Sequence, residues 1–391
     1  MNKTYFQFIA EAAKVHVTTG HLDHVTHFYA NPSETFRHFT NVVNRFEGKK
    51  SAGTISQKAD GGMSVKAGKL PNGTPVVGYK TGEMFSTPEQ IAETGKDHYV
   101  RSLTPILQSL QAMQMKPGTG FQFDLLHQSD EPTKKKTVSQ PNTIHYAIPS
   151  GTQLSVAAHS QYSVDKNGEM QKTSNTPDIS QLQAPGVHAP ELAMGDNIKL
   201  GLSSERSKKI KTAVSEAKKS LTPKLSKFAR TLVTGEGHHP KFSAFHEQYH
   251  SHSSRSSGVR SVEEMRKYVD TFTSKKAQQP AIRKGETKEQ HASRAATHKA
   301  GLSKELHASI SEHEGKFHTL FGIHNQLISA KHHILDQMRE HESQFQLQTH
   351  DGEEHEGLVS SLPEQGMAKF VREGPQGFPK KNNDNPRFAA K

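Results

Sequence analysis

Apolar residues recur at helical spacing early in the chain. In "NPSETFRHFTNVVNRF" Phe36, Phe39, Val43 and Phe46 share one face and Ser33 stands at the N-cap position, so a helix is predicted, and residues 1–50 read as N-terminal helices. From Thr54 the period shortens. "GTISQKADGGMSVKAG" and "GTPVVGYKTG" are short β-rich runs punctuated by glycine. "STPEQIAET" predicts a capped helix start with Pro88 at the first helical position. "DHYVRSLTPILQSLQAMQM" continues as a helix with Val100, Leu103, Leu107 and Leu110 on one face, stopped by Pro117 and Gly118. Strands return in "GFQFDLLHQ", "NTIHYAIPSG" and "TQLSVAAHS", and the lysine-rich "EPTKKKTVSQPN" predicts a loop.

Residues 160–200 are polar, with scattered Pro, Asn and Gly, and residues 201–346 are helical and rich in His and Lys. "HHPKFSAFHEQYHSHSSRSSG" and "SKKAQQPAIRKGETKEQHASRAATHKAG" read as weakly structured links within that block. The strongest helix is "LHASISEHEGKFHTLFGIHNQLISAKHHILDQM", with Leu306, Ile310, Phe317, Leu320, His324, Leu327, Ile328 and Leu335 as its stripe. Strand-like "HEGLVSS" and "GMAKFVRE" follow. The expected organisation is α+β: N-terminal helices at 1–50, an antiparallel β core from 51–160 and 350–375, a helical His/Lys-rich insertion at 161–349, and an irregular tail at 376–391.

Composition narrows the chemistry. The 391 residues contain no cysteine, which excludes disulfides, thiolate metal sites and cysteine nucleophiles. Hydrophobic residues are only 32%, no run approaches a membrane span, and the N-terminus lacks the apolar stretch of a signal peptide, so a cytoplasmic protein without a membrane partner is expected. The formal net charge of +11 favours a polyanionic partner, nucleic acid first. Between Arg206 and Arg230 stand nine Lys/Arg and one acid, Glu216, which reads either as a solvated helix face or as a phosphate-contacting surface. The 26 histidines include His246 and His250 one helical turn apart, but no third ligand at metal spacing and no H-E-x-x-H follow. Solvated or half-buried helix faces account for them more simply.

"KADGG" leaves two readings of Lys58: a nucleophile presented by a strand turn, with Gly61 and Gly62 permitting close backbone approach, or a polar turn between strands. Its companions matter. "KADG" at 58–61 resembles motif I of the covalent nucleotidyltransferases, the superfamily of ATP-dependent DNA and RNA ligases and mRNA capping enzymes. "VVGYKTG" falls where that family has a strand ending in Ser/Thr-Arg-x-Gly, with Lys80 replacing the arginine. "GFQFDLL" resembles motif III, with Asp124 at the acidic position. "NTIHYAIP" resembles the following aromatic strand, "HEGLVSS" motif IV with Glu356, and "GMAKFV" motif V with Lys369. Over roughly residues 50–372 the chain is similar to a group found in tailed bacteriophages that carries a helical insertion and no OB-fold domain.

The resemblance implies a ligase-type, ATP-grasp-like nucleotidyltransferase fold using ATP and Mg²⁺. Lys58 is then the nucleophile that forms a lysyl–AMP adduct, and the AMP passes to a nucleic-acid 5′-phosphate. Asp60 and Gly61 shape the turn; Asp124 and Glu356 are metal ligands or contacts to ribose and lysine. Lys66, Lys80 and Lys369 neutralise the triphosphate. Tyr146 either stacks on the base or belongs to the core. Departures from the family are the arginine after motif I, where only Lys66 stands, and the second lysine of motif V, unless Arg372 serves. Asp124 as a strand-end charge, Glu356 as part of the acidic run "DGEEHEG" and Lys369 as a surface lysine are the bland alternatives. Two other functions stay open: a non-catalytic phage protein that keeps the fold for nucleic-acid or virion interactions, and transfer to a protein or an RNA cap. The host cell cytoplasm is the expected location, with virion association as the alternative.

Overall fold

A computed structural model of the chain describes residues 23–24, 31–195, 200–236, 241–275, 278–351, 354–363, 366–375 and 377. The expected helix at the extreme N-terminus and nearly all of the 376–391 tail lie outside them. The fold is α+β with antiparallel sheets, and it divides into two compact units. One is drawn from residues 44–201 and 335–370, the other from 202–334 with 31–43 and 371–377.

A two-residue strand, Asp23–His24, comes before helix α1 (Pro32–Phe46) within the segment expected to be helical. Its cap is Asn31 rather than Ser33: the Asn31 Oδ1 accepts the Glu34 N–H at 3.4 Å, and Pro32 takes the first helical position. In the β unit, β1 (Thr54–Lys58), β2 (Ser64–Lys69) and β3 (Pro75–Tyr79) lead into α2 (Pro88–Glu93) and α3 (Asp97–Ala112). There follow β4 (Thr119–Gln128), β5 (Thr137–Ser139), β6 (Tyr146–Ile148), β7 (Leu154–Val164), β8 (Met170–Ser174) and β9 (Val187–His188). After the helical unit the chain returns with β10 (Gly357–Leu362) and β11 (Gly366–Val371).

The larger sheet runs β9-β7-β4-β2-β3, with β8 paired to β7, and only β9 is parallel to its neighbour. In a second sheet the Asp23–His24 strand, β11, β10 and β1 are neighbours in that order, and β5 pairs with β6. Period-two alternation splits the larger sheet into two faces. Val65, Ala67, Phe121, Phe123, Val156 and Ala158 turn to one side, where Leu103, Ile106, Leu107 and Leu110 of α3 complete the core. Ser64, Lys66, Gln122 and Asp124 alternate with them on the other, polar side.

The helical unit contains α4 (Ser204–Ser220), α5 (Pro223–Thr234), α6 (Phe242–Arg255), α7 (Val262–Thr273), α8 (Lys288–Glu312) and most of α9 (Glu314–Glu340). Aromatic rings fill its core: Phe228 meets Phe317 edge-on at 5.5 Å, and Phe245 meets Phe272 at 5.4 Å. Charge is buried there too. Lys331 Nζ donates to Glu373 Oε1 at 2.5 Å, and Arg260 lies 3.8 Å from the other Glu373 oxygen.

Several expectations need correction. Residues 161–200 are not part of the helical block: β7 runs on to Val164 and β8 and β9 extend its sheet. Their polarity reflects an edge, since Gln171, Lys172 and Thr173 of β8 are exposed. "EPTKKKTVSQPN" contains β5. The two expected links are largely α6 and α8. In α6 the buried stripe is Phe242, Phe245, His246, Tyr249 and His250, so histidines stand where apolar residues were sought. In α8 a capping box between Thr287 and Gln290 starts the helix. The long stripe from Leu306 is broken at His313, between α8 and α9. Helix α3 ends at Ala112, where Met113 is extended, five residues ahead of Pro117. Among the described residues no helix is long and apolar enough to cross a membrane.

Two consequences are measurable. Leu107 is 2% exposed between α3 and the sheet, so Leu107→Ala lowers stability by about 2–5 kcal/mol in urea unfolding. Burial holds the His38 imidazole of α1 down at about 4, against an ordinary value of 6.5. The unfolded chain therefore takes up this proton first as pH falls. The stability that neutral His38 provides is whole above pH 6.5 and drains away towards pH 4. His38→Gln flattens that part of the pH–stability curve, read as urea midpoints at pH 7 and pH 5.

Candidate active site

Lys58 closes β1, and the antiparallel ladder with β10 sets Gly357 opposite it. The residue before Gly357 is Glu356, and its Oε2 receives the Lys58 Nζ at 2.5 Å. The side chains are 22% and 9% exposed, so this is a largely buried ion pair. Burial alone would lower the Lys58 pKa, but Glu356, Asp124 and Asp60 outweigh it and hold the ammonium above its ordinary value. Burial, with Asp60 nearby, raises the Glu356 carboxyl, while Lys58 and Lys369 pull the other way. Lys369, on β11 beside β10, is therefore close enough to act on the pair.

The "KADGG" turn is locked from several sides. The buried Asp60 carboxylate accepts from Asn142 Nδ2 at 2.6 Å, from the Thr143 N–H at 2.7 Å and from the Thr143 hydroxyl. The Asp60 N–H donates to the Tyr146 hydroxyl oxygen at 2.7 Å. Both Asp60 oxygens are thus committed to the loop before β6, and the Tyr146 ring is fully buried. These two residues position the turn, the role expected of Asp60, and the Tyr146 ring lies in the core. Gly61 is required by contact: a Cβ there would lie 2.2 Å from the Asp124 Cβ.

Asp124, paired in register with Ser64, completes the cluster. Burial would raise its carboxyl, yet His159, Lys58 and the Ser64 hydroxyl hold it below the ordinary value. His159 Nε2 sits 3.1 Å from Asp124 Oδ1. The register of β4 against β7 jumps from Ser160 to Ala158 at this point, so His159 is the extra residue of a β-bulge. A bulge re-aims one side chain, which strict alternation along the strand cannot reveal. Asn142 and Thr143 also went unnoticed, although an Asn-Thr pair is a ready hydrogen-bond donor to a carboxylate.

Lys58, Asp60, Gly61, Asp124, Glu356 and Lys369 are therefore brought together from four segments of the chain. Lys66 and Lys80 lie further along, on the polar face of the sheet and just past β3. Among the described residues no group of three His, Asp or Glu side chains could hold a metal ion unaided. Mg²⁺ does not need one, because it is usually held by one or two carboxylates plus substrate phosphates. Asp124 and Glu356 fit that donor set. The basic segment forms α4 and α5, where Lys208, Lys209, Lys211, Lys218, Lys219, Lys224, Lys227 and Arg230 are exposed.

Residues 20–383 match the model of a family of unknown function (DUF6267), and the chain belongs to that family. No curated protein and no solved structure matches the chain.

The Tyr146 hydroxyl is the acceptor for a buried amide. Tyr146→Phe leaves the Asp60 N–H without it and costs about 1–3 kcal/mol. Faster hydrogen exchange at the Asp60 amide, with little change in α3, is the expected signature.

Proposed function

We propose that this protein is a phage-encoded, ATP-dependent nucleotidyltransferase of the ligase type, with the fold that implies, acting through a covalent Lys58–AMP intermediate. One observation carries the reading: Lys58, Asp124, Glu356 and Lys369, each from a separate segment resembling a motif, gather around one ion pair. A structural charge pair needs two residues. A phosphoryl-transfer site needs a nucleophile, carboxylates for a metal, and cations to spread charge.

The chemistry follows from these groups. Lys58 rests as an ammonium ion, and its proton must leave before it can attack. Glu356, 2.5 Å away and with its own pKa raised by burial, is placed to take it. The Lys58 Nζ lone pair then forms an N–P bond to the α-phosphorus of ATP, the bond from that phosphorus to the bridging oxygen breaks, and pyrophosphate leaves. Lys369 offsets charge on the transferred group. Mg²⁺ held by Asp124, and by Glu356 while it carries no proton, would supply charge neutralisation at the phosphates. In the second half-reaction a nucleic-acid 5′-phosphate attacks the adduct and releases Lys58. Independently of that site, the exposed lysines of α4 and α5 suit the helical unit to bind nucleic-acid phosphates.

A second reading, a non-catalytic fold, has the raised Lys58 pKa on its side, since a tightly paired ammonium is also what a purely structural lysine shows. Labelling separates the two. Purified protein incubated with Mg²⁺ and α-labelled ATP or GTP is expected to carry label that survives denaturation with ATP, and Lys58→Ala to carry none. No adduct with either nucleotide sinks the catalytic reading, and label persisting in Lys58→Ala sinks the site. Nicked DNA, nicked RNA and protein acceptors then identify the second substrate. Binding to DNA or RNA is expected to weaken with added salt, and salt-insensitive binding counts against α4 and α5 as the contact.

A further inference from the structure

The polar face that carries Asp124 continues along the larger sheet. Ser64 Oγ accepts from Gln122 Nε2 at 3.2 Å, and Gln122 Oε1 accepts from the Tyr162 hydroxyl at 2.9 Å. Lys66, two residues beyond Ser64 on the same face, sets its Nζ 5.5 Å from the centroid of the Tyr162 ring. Lys172 of β8 is the registered partner of Tyr162. Partial enclosure of the ammonium groups, on Lys172 despite the exposure of the residue as a whole, and then the nearby charge of Lys80 hold Lys66 and Lys172 below their ordinary pKa. Lys80 is thus close to both.

Among the described residues no acid pairs with Lys66, Lys80 or Lys172. Three like charges gathered without a counter-charge repel one another, and such an arrangement is unfavourable until an anion joins it. A single phosphodiester offsets one charge of the three, whereas a pyrophosphate group is multiply charged and compact. Position adds to this. Ser64 and Lys66 are one two-residue repeat apart, about 7 Å, so the cluster lies one step along the strand from Asp124 and the Lys58 end.

We propose that Lys66, Lys80 and Lys172, beside Tyr162, form a binding site for the pyrophosphate portion of a nucleoside triphosphate, so that β8, outside every recognisable motif, supplies one of its cations. The identity of the nucleotide rests on the nucleotidyltransferase reading; the anion site itself does not. Gln122 and Ser64 link this site by hydrogen bonds to Asp124. A leaving group held there is drawn away from the α-phosphate along the sheet.

Calorimetry of the full chain with inorganic pyrophosphate tests it. Lys172→Gln, Lys66→Gln and Lys80→Gln are each expected to weaken binding about tenfold or more, as lost charge-assisted hydrogen bonds do. Added salt weakens the wild type, and Lys284→Gln, an exposed lysine of the helical unit, leaves affinity unchanged. Lys172 is exposed, so its variant is expected to melt with the wild type. Affinity equal to wild type in Lys172→Gln and Lys80→Gln overturns the site. So does lysine-dependent binding of a short 5′-phosphorylated oligonucleotide without binding of pyrophosphate. Adduct labelling at Lys58 is read separately. No adduct with lysine-dependent pyrophosphate binding sinks the transfer reading and keeps the site; an adduct with lysine-indifferent pyrophosphate binding does the reverse.

Discussion

The ion pair between Lys58 and Glu356 is the contact on which the site depends. It joins residues 298 positions apart, and its geometry is set by backbone register rather than by side-chain reach. Gly357 lies opposite Lys58, and Gln57 opposite Leu358. Because side chains alternate with period two, slipping β10 by one residue would turn its buried set outward and carry Glu356 away. Buried charge makes the register costly to miss, since either partner alone would be left desolvated without compensation.

Two acids near Lys58, Glu356 in contact with it and Asp60 two residues along the chain, divide the labour. Glu356 faces the ammonium and bears on its proton. Asp60 turns away, spending both oxygens on Asn142 and Thr143 while its N–H holds Tyr146. The turn is thereby fixed before any ligand arrives, which keeps the lysine from wandering. Asp124 completes the arrangement against Gly61, at a separation that leaves no space for a side chain on that residue.

Much of this was legible in the chain. Short β-rich runs bounded by glycine revealed the strands that carry Lys58 and Asp124 and the one that follows Glu356, and apolar spacing revealed α3 behind the larger sheet. The misses have physical causes. β8 reads as loop because an edge strand is polar on both sides, so Lys172 went unseen. α6 reads as a link because His246 and His250 occupy buried positions in its stripe, their Nε2 atoms 2.9 Å apart. His159 was hidden because a bulge breaks the strict alternation by which a strand residue could be assigned to a face. Asp60 and Tyr146 were placed near the chemistry, but sequence could not show that they bond to each other.

The pairing of β1 with β10 also bears on how the molecule assembles. A loop of about three hundred residues must close before that ladder can form, at an entropic cost that grows with the logarithm of its length. Much of the intervening chain forms a compact unit of its own, which shortens the effective loop once that unit has folded. During synthesis β1 therefore waits, its Glu356-facing edge open, until β10 leaves the ribosome. Lys58 acquires its partner only after β10 has been made, so a chain cut before β10 retains the lysine without the environment that defines it.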